Sequence, residues 1–400
     1  MDLKQLSLKL KSFYLIFIAA PKKWRFPSKA EILIYDACGA ENFVPYFANY
    51  SYTTLSLRGE SINIPCFFYS MASIDFWKGN PFAAYISTYI MKVSPKIIIT
   101  FIDNNNSFYK LSKQFPECKT IFVQNGSRSE AGDIFSSLSK AALYHVDYML
   151  VHSRSIGKHY SKYISGQYIS FGSLKNNAVK KIHGVGGKTV LFISHTSGAI
   201  KGSMPLYIHP NGMPIYHNQY FFAEVMVLKF LDSWCVKNNK QLQICGRSDG
   251  LDGKEKAFYA NLINESKWEL IPKLNNFSSY KLIDLADIVV TIDSTLGYES
   301  IGRGKKTAAF SCRASSILSQ AANFGWPLDL PNNGPFWTND HDVEQFQRIM
   351  DYLSKVSDVE WKRTLKRYSL DLMDFNPDNK LLVNLLNQLL LRKKGRFNVN

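Results

Sequence analysis

The sequence predicts an α/β protein of two consecutive units, each built on a parallel sheet. Three observations carry that reading. Apolar runs of strand length alternate with helix-sized segments along most of the chain, which is the signature of βαβ units. The alternation breaks at GSLKNNAVKKIHGVGGK (172–188), a stretch rich in Gly, Asn and Lys, and then restarts. A length of 400 residues is long for one core and suits two domains.

In the first unit, EILIYDA (31–37) and YTTLSLRG (52–59) read as strands, and PFAAYISTYIMKVS (81–94) has helical periodicity. KIIITFID (96–103) is a buried strand, and SFYKLSKQFP (107–116) is a helix closed by proline. KTIFVQNG (119–126) and DYMLVHS (147–153) are further strands with a helix between them, and RSIGKHYSKYI follows as the next helix. In the second unit the strands are TVLFISH (189–195), QLQICGRS (241–248), WELIP (268–272), the run ending at Ile292, and KTAAF (306–310). Between them lie helices at 221–238, 254–265 and 278–286, and the tail from about 341 is helical. The predicted division is a basic amphipathic N-terminal helix (1–30), two Rossmann-like units (31–175 and 186–345) and C-terminal helices (346–400).

A hydrophobic content of 46% with 14% aromatics describes a packed chain rather than a disordered one. The formal charge of +16 implies an anionic partner: nucleic acid, anionic lipid or a phosphorylated small molecule. Charge alone suggests a non-catalytic nucleic-acid binder. The basic residues are not interleaved with aromatics as in known modules, so no nucleic-acid partner is expected. The six cysteines are scattered with no Cys-x-x-Cys, which favours inert thiols in a reducing, cytoplasmic setting. No apolar run is long enough for a transmembrane helix. FYLIFIAAP (13–21) follows Lys4, Lys9 and Lys11 but is short, lacks a cleavage site and runs straight into Lys22, Lys23 and Arg25. It reads as a helix that packs one face on the domain or touches an anionic membrane surface.

Ligands of open parallel sheets bind beyond the carboxyl ends of the strands. In the first unit those ends carry Asp36 and Gly39, Asp103 and Asn104, Gln124, Asn125 and Gly126, and His152 and Ser153. In the second they carry Ser194, His195 and Thr196, Gly246, Arg247 and Ser248, and Asp293, Ser294 and Thr295. Two such edges facing each other make a polar cleft. In DIVVTIDSTLGYESIGRGKKTAAF (287–310) a strand breaks into Asp293-Ser294-Thr295 before a helix. Unpaired N–H groups and the dipole at that helix start suit an anion such as phosphate. Glu299 is no capping-box partner, since Leu296 stands three residues before it, so it is free to accept hydrogen bonds from ribose or sugar hydroxyls. The alternative is an ordinary N-cap at Ser294 with Glu299 in solvent.

The segment TIDSTLGYESIGRGKKTAAF (291–310) resembles the donor site of glycosyltransferases of the two-Rossmann architecture called GT-B, in particular bacterial surface-polysaccharide and capsule transferases. IIITFIDNNNSFYKLSKQFPECKTIFVQNGSR (97–128) resembles the acceptor domain of surface-carbohydrate biosynthesis proteins, and the resemblance spans roughly 31–310. It implies transfer of a sugar from a nucleotide-sugar donor to a glycan or lipid-linked glycan precursor of capsule, O-antigen or a related polymer. Ser294 and Thr295, with Asp293 beside them, would meet the donor phosphate, and Glu299 the ribose or sugar. Arg247 would sit against the diphosphate, or else form a surface ion pair. His209 in YIHPNGMP resembles the His-Pro pair of some transferases that use cytidine-monophosphate sugars, or is a structural loop histidine. His217 could cap the helix that follows it.

Gln124, Asn125 and Gly126 would face the acceptor. Asp103 or Asp36 would take the acceptor proton in an inverting reaction. Asp103 is favoured by the asparagines that follow it, although either aspartate could cap a helix, and a retaining reaction needs no such base. The Asp-x-Asp at Asp340-His341-Asp342 precedes a helix and reads as capping, so neither a metal nor a cofactor is expected. The basic N-terminus and RKKGR (392–396) would hold the chain at the inner face of the cytoplasmic membrane. A non-hydrolysing nucleotide-sugar epimerase shares the double-Rossmann layout and is the alternative. The first strand lacks a Gly-x-Gly-x-x-Gly, HGVGGKT (183–189) lacks P-loop spacing, and no Gly-x-Ser-x-Gly is present.

Overall fold

The computed structural model describes residues 20–128, 134–136, 143–182, 188–196, 204–209 and 211–391. Strands β1 (Ile32–Tyr35), β2 (Tyr52–Leu55), β3 (Ile97–Thr100), β4 (Lys119–Val123), β5 (His145–Val151) and β6 (Ser165–Ser170) form one parallel sheet in the order β2-β1-β3-β4-β5-β6. Alternate side chains of the inner strands feed two separate cores, which is why those strands are mostly apolar. Leu33, Ile98, Phe122 and Met149 pack with helices α1 (Pro81–Val93) and α2 (Arg154–Tyr160). Ile32, Ile34, Ile99, Ile121 and Leu150 face the other way.

The 172–188 break contains the one-turn helix α3 (Leu174–Ala178). Beyond it, β7 (Thr189–Ile193), β8 (Gln241–Cys245), β9 (Trp268–Ile271), β10 (Ile288–Thr291), β11 (Thr307–Phe310) and β12 (Trp337–Thr338) form a second parallel sheet in the order β9-β8-β7-β10-β11-β12. Its crossovers include α4 (His217–Lys237), α5 (Lys254–Ala260), α6 (Ser278–Leu285) and α7 (Thr295–Gly302). Helices α8 (Val343–Lys355) and α9 (Asp358–Lys366) complete this unit's core through Phe346, Ile349, Leu353 and Trp361. The last helix, α10 (Lys380–Leu391), crosses back instead. Its Leu382, Leu385, Leu386 and Leu390 cover the first sheet's Ile32/Ile99 face. The tail read as 346–400 is therefore divided between the two units.

Several local expectations are revised. Residues 20–30 are not helical, because Lys22–Lys23 runs extended and pairs in parallel with Ile62–Asn63. The rest of the expected N-terminal helix and the RKKGR tail lie outside the described residues. Helix α4 starts at His217 rather than 221, since the Gln219 side chain accepts the Tyr216 N–H at 2.9 Å and closes the first turn early. His217 is thus the first helical residue, and Tyr216 occupies the cap. The helix expected over 107–116 is a 3-10 turn, Phe108–Lys110, followed by Leu111–Gln114.

One buried ion pair fastens the linker. The side chains of Arg303 and Asp284 are 0% and 3% exposed. Arg303 Nε and Nη2 donate to Asp284 at 2.8 and 2.5 Å. The remaining guanidinium donors reach the carbonyls of Asn176, Val179 and Lys180. Asp284 also accepts the Ile182 N–H at 2.8 Å. Arginine's fork suits this multiple donation in a way that lysine's point charge does not. Arg303→Ala strands a buried carboxylate and is expected to cost about 3–5 kcal/mol in urea unfolding, with Arg303→Lys failing to restore it. Removal of the exposed Lys96–Glu31 pair should cost under about 1 kcal/mol in the same assay.

Candidate functional site

The carboxyl edges of the two sheets face each other across a cavity of about 710 Å³. In the second sheet the strand order reverses between β7 and β10, and the crevice opens where these two strands diverge. Ser194 and His195 follow β7, and Asp293, Ser294 and Thr295 follow β10; all five line the cavity. Asn125 and Ser127 close it from the first unit, and Lys175 from the linker.

Helix α7 points its N-terminus at this space. Ser294 is extended, and its Oγ accepts the Leu296 N–H at 3.3 Å, so it is the N-cap. Gly297 lets the helix lie against β10, since a Cβ there would sit 2.4–2.5 Å from the Thr291 side chain. Thr295 bridges the units. Its Oγ1 accepts the Ser127 N–H at 3.0 Å and lies 3.0 Å from Ser127 Oγ. Lys175, Arg247 and Lys273 line the same cavity, and among the described residues none of the three forms a carboxylate ion pair. Arg247 is fixed by a 2.7 Å bond from Nη1 to the His195 carbonyl rather than by a surface ion pair. Its N–H meets Glu255 of α5 at 2.8 Å.

Glu299 is not in solvent. It is 6% exposed, and burial pushes its carboxyl up to about 7, against hydrogen bonds from Ser173 and Tyr280 and the charges of Lys175 and Arg303. Asp293 is engaged by the protein itself, with both oxygens taken by Arg313 Nη1 at 2.7 and 2.6 Å. Burial raises its carboxyl, but Arg313 and His195 outweigh that and hold it below the usual carboxylate range. Its third neighbour is His195 Nδ1, at 3.2 Å from Oδ1. Burial lowers the His195 imidazole to about 4, so the ring is neutral near pH 7. The nearness of Nδ1 to the Asp293 carboxylate favours the tautomer with the proton on Nδ1 and the lone pair on Nε2, an atom with no partner among the described residues. Sequence reading placed His195 at a strand end and gave it no role.

The residues of the first unit act mainly on one another. Asp103, expected as a base, is 0% exposed with both carboxylate oxygens occupied. Arg128 grips it, Asn125 N–H donates at 3.1 Å, and the Tyr160 hydroxyl donates at 2.6 Å. It shapes the loop that carries Asn125 and Ser127 and has no oxygen left for a substrate proton. Asp36 adopts a left-handed φ of 85° and is tied to Cys38 N–H and Arg58, both at 3.0 Å. Gln124 is also internal: its Nε2 donates to the Gly126 carbonyl, and its Oε1 accepts the His152 N–H, both at 2.9 Å. His152, at the end of β5, is buried and lowered to about 4 by that burial. It lines a smaller cavity of about 60 Å³ that shares Ser127 and Asp293 with the larger one.

His209 sits at a hairpin tip, where its Nδ1 accepts the Asn211 N–H at 3.3 Å, and it is not in the wall of the large cavity. Asp342 caps α8 by accepting the Glu344 N–H at 2.9 Å, and Asp340 binds Asn333 at 2.7 Å. Among the described residues no group of three or more His, Cys, Asp or Glu has metal-binding geometry, and no helix is long and apolar enough to cross a membrane.

Glu299 gives the site a measurable pH signature. Its folded-state value lies above that of the unfolded chain, so its contribution is fully favourable below pH about 4.5 and is lost as pH rises toward 7. Glu299→Gln keeps the shape without the charge. It should raise thermal stability relative to the parent at pH 8, by an amount of order 3 kcal/mol at most, and leave it nearly unchanged at pH 4.5. Equal melting shifts at both pH values would show that the carboxyl is not buried as described.

A family model described as “putative O-antigen biosynthesis protein” matches residues 121–390. Among curated proteins none matches the sequence. Among solved structures, S. aureus MnaA in complex with UDP superposes with a TM-score of 0.54 at 10% identity, over 91% of this chain and 97% of that one. A UDP-GlcNAc 2-epimerase from Neisseria meningitidis bound to UDP-GlcNAc gives 0.49 at 8% identity, over 89% and 99%. A glycosyltransferase from Rickettsia africae gives 0.48 at 13% identity, over 91% and 99%. At 10% identity the likeness to MnaA is one of fold. The matched segment runs from β4 through the linker and the whole second unit to the returning helix α10, and on that evidence the chain belongs to this O-antigen biosynthesis family, with a GT-B fold.

Proposed function

We propose that the protein is a glycosyltransferase that moves a sugar from a nucleotide-activated donor to a precursor of a bacterial surface glycan, such as capsule or O-antigen. The observation that carries this is the cavity's charge: the α7 N-terminus and three cations, Lys175, Arg247 and Lys273, converge on it without carboxylate partners among the described residues. Such a place favours a diphosphate, and about 710 Å³ falls in the range of small-ligand pockets. The solved S. aureus structure holds UDP, a ligand of the class this cleft would take.

In the reaction, the bond from the anomeric carbon to the phosphate oxygen breaks, and the electron pair leaves on the nucleotide diphosphate. The α7 dipole and the three cations stabilise that charge, so transfer requires no metal. Glu299 accepts a ribose or sugar hydroxyl. The acceptor oxygen attacks from the side of the Asn125–Ser127 loop, and its proton passes to His195 Nε2, oriented by Asp293. This role replaces Asp103. The activity belongs to the cytoplasmic side, where nucleotide-sugars are made. An epimerase would use the same cleft but transfer no sugar to an acceptor and release no nucleotide.

Calorimetric titration with the diphosphates of uridine, cytidine, guanosine and thymidine should show one preferred ligand. Arg247→Ala should weaken it about tenfold, as expected for one charge-assisted contact. His195→Asn should leave that affinity within about twofold while lowering turnover about 10²-fold or more. Absence of binding by all four at millimolar concentration would remove the donor site. Nucleotide released only with a glycan acceptor present supports transfer; sugar interconversion without release would establish the epimerase instead.

A further inference from the structure

The first unit carries a second chemical feature, on a surface that the cleft does not use. Four large apolar side chains stand in solvent there: Trp24 is 73% exposed, Ile74 71%, Trp77 68% and Phe68 63%. Single exposed apolar residues are ordinary, but a contiguous group is not.

The segments that carry these residues are held side by side. The strand Lys22–Lys23 pairs with Ile62–Asn63, and Asn63 Nδ2 donates to the Arg25 carbonyl at 2.8 Å, so the 22–26 segment lies along the helix Ile64–Ser70. The rings of Phe26 and Tyr69 meet edge-on at 6.4 Å, and Lys92 Nζ sits over both, 4.9 and 3.7 Å from their centroids. The short helix Ile74–Lys78 follows directly, with Trp77 Nε1 bonded to the Met71 carbonyl at 2.7 Å. Segments 20–29 and 61–93 contribute Lys22, Lys23, Arg25, Lys29, Lys78 and Lys92 against the single acid Asp75.

We propose that this face docks on an anionic lipid surface. Tryptophan and tyrosine, apolar rings with one polar edge, favour the zone between headgroups and acyl chains. Lysine and arginine stems lie along apolar surface while their charges reach anionic headgroups. A protein groove would bury such rings in a concavity, whereas these side chains project. The basic cluster also lacks the interleaved stacking pattern of a nucleic-acid platform. The inference does not depend on the chemistry of the cleft.

The test is co-sedimentation of the full chain with phosphatidylcholine vesicles, with and without phosphatidylglycerol. Binding should require phosphatidylglycerol and weaken as salt is raised. The triple variant Trp24→Ser/Phe68→Ser/Trp77→Ser should lose at least about tenfold in vesicle affinity with unchanged circular dichroism and a cooperative melt, because the replaced side chains are mostly exposed and only the Trp77–Met71 hydrogen bond is lost with them. Lys23→Gln/Arg25→Gln/Lys78→Gln should lose the dependence on phosphatidylglycerol. Parental vesicle affinity in the serine variant would overturn the proposal and place any membrane contact elsewhere, for example on the segment that carries Lys4, Lys9 and Lys11. Failure of the parent to bind vesicles, together with a dimer in sedimentation velocity that the serine variant abolishes, would also overturn it, in favour of a second copy as the partner.

Discussion

The Arg303–Asp284 pair is the constraint on which the architecture of the cleft rests. Arg303 lies one helical turn after Glu299, so the helix that aims its start at the cavity has its other end bound to the linker. Asn176 on the linker donates back to the Glu299 carbonyl at 3.3 Å. Ser173, from the same few residues, hydrogen-bonds the Glu299 carboxyl, and the charge of Lys175 acts on it. The linker is thereby part of the site's wall as well as a joint. A guanidinium at this position satisfies carbonyls that a buried, irregular backbone would otherwise leave without partners.

The electrostatics of the site follow from burial more than from charge count. Burial keeps two imidazoles neutral and holds Glu299 near the point of ionisation. Among the described residues the cations that line the cavity form no carboxylate ion pair: Asp293 and Glu255 are committed to Arg313 and to backbone N–H groups, and Glu299, on which the charge of Lys175 acts, is held near its point of ionisation by burial. An incoming anion therefore meets uncompensated positive charge in a partly dried space, where each contact is worth more than in water.

What could be read in advance divides along physical lines. Strands such as Ile97–Thr100 and Ile288–Thr291 are legible because both faces are buried and each is an unbroken apolar run closed by one threonine. β6, with the sequence SGQYIS, is an edge strand that fully buries none of its residues, and its Ser-Gly start looks like a loop. Ser294, Thr295, Glu299 and Arg247 stand on one cavity because a strand end followed by a helix start is a local event that sequence encodes. Asp103 misled because a carboxylate at a strand end looks the same whether it faces solvent or an arginine further along the chain. His195 and Lys273 gain meaning only from partners and neighbours distant in sequence, which periodicity cannot reveal. The unbroken apolar run of β1 announces two covered faces, but not that one cover comes from the far end of the chain.

That returning cover has a consequence for biogenesis. The Ile32/Ile99 face of the first sheet is closed by leucines of α10, some 350 residues later. While the second half of the chain is still being synthesised, at roughly 5–20 residues per second, the first unit must wait for tens of seconds with that sheet face covered only in part, by its own Phe43, Phe47 and Phe171. The first half is therefore a spatial domain without being an autonomous stretch of gene: cutting the coding sequence at the linker would separate the sheet from its own lid. The chain is closed into a loop by packing, and its first-made half is the last to be finished.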